Sequence, residues 1–201
     1  LLSAALRGSI REATEAAKVN AQTGAVLKST GGAARVTAKQ ISDLATAISL
    51  KVGKDDEEIQ AAENMLLTFT RVRNETGKGN DVFNRATKTI VDMSVAMKVP
   101  LKNASVLVGK ALQDPIRGLT SLSRVGVDFT DQQRAQIAAL VKSGRSMQAQ
   151  KLILRELNRE FGGSAKAAAT PMQKLGVVVG NLEETVGGAL LPAINKAAAA
   201  L

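Results

Sequence analysis

Apolar residues recur along the chain at helical spacing, and a glycine or proline closes each run. The first run, about Leu2 to Ser29, is alanine-rich and stops before Gly31–Gly32. Ile41, Leu44 and Ile48 share one face of a helix that Thr37 opens, with Gln40 as its capping-box partner, and Gly53 closes. Ile59, Ala62, Leu66 and Phe69 repeat at three-four-three spacing behind Asp55, Asp56 and Glu58, acids that suit the positive end of a helix dipole. Phe83, Ala86, Ile90, Met93 and Met97 keep that rhythm from a cap at Asn80 or Asp81 to a stop at Pro100. The Phe83, Ile90, Met93 and Met97 face is expected to be buried, either within the chain or against a neighbouring copy.

A short helix covers about Lys102 to Gln113, and the stretch "QDPIRGLTSLSRVGVDFTDQQ" then joins two more. Asp114 is an N-cap, and Pro115 suits the first turn, where its missing N–H costs nothing. Ile116, Leu119 and Leu122 lie on one face, Gly126 ends that helix, and Thr130 with Gln133 opens the next as a capping box. Ile137, Leu140 and Val141 carry it to Gly144. Another helix runs from Ser146 to Phe161 and stops at Gly162–Gly163. The last begins near Pro171 with Leu175, Val179, Leu182 and Val186 in line. Gly187–Gly188 and Pro192 are expected to bend or break it.

Alternation at period two is nowhere sustained, so the pattern predicts an all-α, compact, bundle-like module of about eight or nine helices without β-sheet. The apolar faces last about two heptads, short of the three to four of a coiled coil. Three parts are expected: an N-terminal helix over 1–30 continuing from an upstream part of the chain, a helical module over 31–163, and a bent C-terminal segment over 164–201. The start at Leu1 and the ending "NKAAAAL", which lacks a stop signal, read as an internal piece of a longer polypeptide.

Composition narrows the chemistry. Four Phe are the only aromatics in 201 residues, so the core must be built from Ala, Leu, Ile, Val and Met. Without cysteine or histidine, the chain lacks thiolate ligands, disulfides and the usual general base. No cofactor, metal or catalytic residue is expected, and no window approaches the ~20 apolar residues of a membrane span. The net charge of +9 is concentrated in residues 1–54 and 100–160, a balance that suits nucleic acid, an acidic partner, an anionic membrane surface or plain solubility.

Four motifs invite a functional reading. "TGKGN", Thr76 to Asn80, looks like half a phosphate-binding loop, but Val72 and Gly79 stand where that loop needs a glycine and a hydroxyl. A tight inter-helix turn explains it better. Glu57–Glu58 and Glu183–Glu184 are adjacent acids that point to different sides of a helix. The first pair reads as dipole complementation and the second as a solvated face. The Asp114–Leu140 pair of helices could present Arg117, Arg124 and Arg134 to DNA phosphates, although two bundle helices are the simpler reading. Met65, Met93, Met97, Met147 and Met172 read mainly as core filler.

The stretch "ENMLLTFTRVRNETGKGNDVFNRATKTIVDMSVAMKVPLKNASVLVGKALQDPIRGLTSLSRVGVDFT" resembles a segment of the tail tape measure proteins of long-tailed bacteriophages and prophages. The likeness continues through "SGRSMQAQKLILRELNREFGGSA" and upstream in "STGGAARVTAKQISDLATAIS", and "KALQDPIRGLTSLSRVGV" is its most specific part. The resemblance implies a virion protein, made in the host cytoplasm, that spans the tail tube, sets tail length and leaves with the DNA at infection. Its implied partners are tube and tip proteins, assembly chaperones and other copies of itself. A basic DNA-contacting module and a membrane-active segment over Pro171 to Leu201 during ejection are the alternative readings.

Overall fold

Ten helical segments follow one another in the computed structural model, which describes residues 2–199: α1 (Leu2–Ser29), α2 (Ala38–Val52), α3 (Asp56–Leu67), α4 (Val82–Met97), α5 (Leu101–Gln113), α6 (Pro115–Ser123), α7 (Asp131–Lys142), α8 (Ser146–Phe161), α9 (Ser164–Ala168) and α10 (Pro171–Ala199). Leu1, Ala200 and Leu201, the outer ends of the first and last expected parts, lie outside the described residues. Among the described residues there is no strand, only an isolated bridge between Asn74 and Asp81. The all-α reading holds.

Local chemistry accounts for most of the boundaries. Thr37 and Gln40 form the reciprocal capping box of α2, as Thr130 and Gln133 do for α7. Asp55 Oδ1 accepts the Glu58 amide at the start of α3, and Asp114 Oδ1 accepts the Arg117 amide ahead of Pro115 in α6. Gly53 ends α2 in the left-handed region, φ 66°, where glycine carries no Cβ penalty. Helix α6 itself ends at Ser123, and Gly126 at φ 90° turns the chain so that Val127 N–H returns to the Leu122 carbonyl at 3.1 Å. At the close of α8, Gly162 is the C-cap and Gly163 adopts φ 84°.

Two starts differ from expectation. Asp81 stands at the N-cap position of α4, as expected, but its side chain makes no capping bond; Asn74 supplies it from across the turn, its Oδ1 accepting the Phe83 amide at 2.9 Å. The five-residue α9 was not anticipated. Its N-terminus is held by Asp92 of α4, whose Oδ1 accepts the Ala165 amide at 3.0 Å.

One continuous core runs through α2 to α9, and α4 sits among α3, α5, α8 and α9. Burial on α4 extends past the expected face to Val82, Thr87, Thr89, Val91 and Ser94, as befits a helix enclosed on several sides. Phe83, Ile90 and Met93 are fully buried, whereas Met97, on the last turn, is half-buried against the core. A polar cluster fixes α1 on α3: Gln60 Nε2 donates to Asn20 Oδ1 at 2.9 Å and to Thr23 Oγ1 at 2.8 Å, and Thr23 donates to Asn64 Oδ1 at 2.8 Å. Satisfied buried polar groups of this kind define one alignment of helices that apolar packing alone would leave loose. Glu63, next to this cluster in sequence, is fully buried with one hydrogen bond, from Thr87 Oγ1 at 3.3 Å; its Oε2 has no partner.

The last helix corrects the expected interruption. Helix α10 continues unbroken through Gly187, Gly188 and Pro192. Gly187 serves close approach and does not stop the helix: a Cβ there would stand 1.9 Å from the Ser9 carbonyl oxygen of α1. Packing against α1, the most extensive helix pairing in the chain, offsets the poor helix propensity of these residues.

Candidate functional site: the outward stripe of the last helix

Thr170, Pro171 and Gln173 start α10. The Gln173 amide donates to Thr170 Oγ1 at 3.2 Å and Gln173 Oε1 accepts the Thr170 amide at 2.8 Å, a capping box with proline in the first turn. From there the helix has two unlike faces. Its inward face is sparse and polar: Val177, Gly180, Asn181, Glu184 and Gly187 lie toward α1 and the beginning of α3. Glycines let the backbones approach, so α1 and α10 meet through small residues instead of a leucine seam.

The outward face has the side chains that a core normally takes. Met172 is 75% exposed and Leu182 64%, with Leu175, Val179 and Val186 in line between and beyond them. Of the nine large apolar residues left exposed among the described residues, six belong to α10: these five and Val178. Isolated exposed apolar residues are ordinary, but a contiguous stripe marks an interaction surface. The Leu175–Val186 line is not buried within the chain, and Met172, read as core filler, is exposed.

The spacing is three-four-three-four. Met172, Val179 and Val186 fall at one heptad position, Leu175 and Leu182 at the other. In a parallel pairing, valine at two of the three first positions with leucine at the second favours two strands. The flanking positions Gly176, Val178 and Thr185 carry no charge, and Glu183 leans on α1, its Oε2 about 3.5 Å from a Cβ built at Gly8. Nothing along the seam repels an identical seam.

Behind the stripe the inward face is acidic. Glu12, Asp55, Asp56, Glu57 and Glu184 line a cleft of about 310 Å³. Burial pushes the Glu57 carboxyl up to about 8, and repulsion from Asp56 and Asp55 acts in the same direction. Glu184 is raised by burial and then by Asp56, Asp55 and Glu12, so it is not on the solvated face its sequence position suggested. Among the described residues no group of three acidic, histidine or cysteine side chains is placed to hold a metal ion.

The other sequence candidates lie elsewhere. Asp114, Pro115, Gly126, Thr130, Gln133, Gly162 and Gly163 mark helix ends and do not converge on one site. Phe83, Ile90 and Met93 pack within the chain, so this face is core and not surface. Of the three arginines of the α6–α7 pair, Arg134 is engaged internally, donating to the Phe129 carbonyl at 3.0 Å and Ser123 Oγ at 2.8 Å. Arg117 lies 3.7 Å from the Asp114 carboxylate. No helix among the described residues is long and apolar enough to cross a membrane. What fold and surface define is an all-α module with one uncovered apolar helix face. Compared with known proteins, the chain matches no family model, no curated protein and no solved structure.

Proposed function

We propose that the chain is a helical module of a tail tape measure protein of a long-tailed bacteriophage, a non-catalytic part of the virion that acts in tail assembly through protein contacts. The outward stripe of α10 carries this reading, with the α10 of a second copy as its occupant. The heptad identity of the stripe supports a like partner, and its one flanking charge, Glu183, is turned toward α1. The resemblance of the central sequence to tape measure proteins supplies the tail context.

Within that context the module organises and does not measure. A continuous helix of this length would extend ~300 Å at ~1.5 Å per residue. Here the longest helices, α1 and α10, have 28 and 29 residues, and the chain between them folds back repeatedly. Deleting Thr130 to Phe161 separates the two roles. Those residues supply Ile137, Ala149, Ile153, Leu154 and Leu157 to the core, so their loss should leave few or no tails in electron micrographs of lysates. Normal numbers of tails shortened by ~48 Å, the rise of a continuous helix of that length, would return the segment to a ruler.

A further inference from the structure

A second cleft, of about 610 Å³, opens between the turn that follows α3 and the start of α8. Arg71, Arg73, Glu75 and Asn80 line it from one side, Arg145 and Lys151 from the other. Charge in this cleft is not balanced. Glu75 is its one carboxylate, and Arg73 holds it at 2.9 Å while Arg35 approaches it at 3.9 Å. Arg71, Arg145 and Lys151 form no ion pair among the described residues. Their hydrogen bonds go to neutral acceptors instead: the Arg71 guanidinium to the Gln113 carbonyl at 3.4 Å, Arg145 Nε to Ser143 Oγ at 3.1 Å, and the Lys151 ammonium to Asn80 Oδ1.

These neutral contacts hold three like charges around one concavity, which repulsion opposes unless an anion is there to neutralise them. The backbone adds to the same field. No side chain caps α8, and its first residues, Ser146 and Met147, line the cleft, so the partial positive charge of the helix end lies beside it. Asn80 comes from the "TGKGN" turn, whose sequence lacks the glycine and hydroxyl of a phosphate loop. Folding places that turn opposite residues 145–151, a juxtaposition that neither segment announces alone.

We propose that this cleft is a phosphoryl-binding site, in which Arg71, Arg145 and Lys151 take the oxygens of a phosphate or diphosphate group at the start of α8. The geometry suits such a ligand because guanidinium groups offer paired donors and the ammonium a point charge, while the helix end supplies amides. The group is either a free small phosphate or part of a nucleic-acid backbone, and the chemistry of recognition is the same for both.

Titration of the full chain with pyrophosphate at constant ionic strength tests this. One saturable site per chain is expected. The Arg145→Gln/Lys151→Gln double variant should bind at least ~10-fold more weakly, the loss that follows from removing charged hydrogen bonds. Lys18→Gln/Lys196→Gln removes the same charge from α1 and α10, outside the cleft, and should change affinity by less than about twofold, since distant exposed charges are screened. Circular dichroism checks that each variant keeps its helices; Arg145→Gln alone, an exposed position, gives the answer if the double variant unfolds. A single-stranded oligonucleotide that displaces pyrophosphate would identify a backbone phosphate as the ligand, and one that does not would identify a free phosphate. Absence of saturable binding, or equal weakening in both double variants, overturns the proposal.

Discussion

Replacing Ile90 by Asp is expected to leave the chain unfolded at neutral pH. Ile90 is 1% exposed on α4, the helix enclosed by α3, α5, α8 and α9. Truncating such a side chain alone costs about 2–5 kcal/mol through lost burial and the cavity left behind. Asp adds a carboxylate with no cation to pair with, and its desolvation is several kcal/mol more. A domain stable by about 5–15 kcal/mol has little or nothing left after that sum. Ile90→Val, which keeps most of the volume, should cost about 0.5–1.5 kcal/mol and leave a cooperative transition. Urea unfolding followed by circular dichroism measures both. A folded Ile90→Asp chain with native helix content would show that α4 is not the centre of the core.

Stability should fall as pH rises from about 5 to 8, and Glu63 should be the main cause. Burial raises the Glu63 carboxyl well above its ordinary range, and the single bond from Thr87 offsets this only in part. Glu57, raised to about 8, and Glu184, also raised, act in the same direction. A raised folded-state pKa means that the native chain holds a proton the unfolded chain releases. The associated stability is complete below the unfolded value near 4.5 and is lost as pH climbs through the folded value, for Glu57 about 8. Glu156 runs the other way. Its hydrogen bond from Arg159 lowers its pKa, so its contribution is present above about 4.5 and lost on acidification. Glu63→Met keeps the volume and removes the unsatisfied oxygen, and should stabilise the chain by ~1–3 kcal/mol at pH 8 while flattening the slope. Thermal melts of both chains at pH 5.5 and 8 measure this. A stability that rises over that interval would mean that the Glu63 carboxylate is solvated or paired.

Helix ends were legible because their signals are local. Thr37 with Gln40, Asp55, Asp114 with Pro115, and Thr130 with Gln133 each satisfy orphan amides within three residues, so spacing alone reveals them. The α4 cap was not legible, because Asn74 reaches Phe83 only after the intervening turn has formed. The same limit hid the Asp92 contact that starts α9 and the Gln60–Thr23–Asn64 cluster that seats α1, all made between residues distant in sequence. On α10 the periodicity was correct. An in-line row of Leu and Val says which residues share a face, but not whether the chain or a partner covers it. Glycine and proline in that helix resembled punctuation, yet Gly187 answers to the closeness of Ser9 on α1. The acidic and cationic clefts were not legible, since each gathers side chains from segments distant in sequence, turns as well as helices.

Pairing through the α10 stripe is tested most directly by the solution mass of the full chain, by sedimentation equilibrium, with and without Leu182→Glu. Leu182 is 64% exposed on the stripe, so the substitution leaves the core of the chain untouched. A pair of about 42 kDa, twice the 21.0 kDa chain mass, is expected, becoming monomeric in the variant while helix content is unchanged. A chain that stays at 21.0 kDa at all concentrations, or a pair that Leu182→Glu does not weaken, would contradict it.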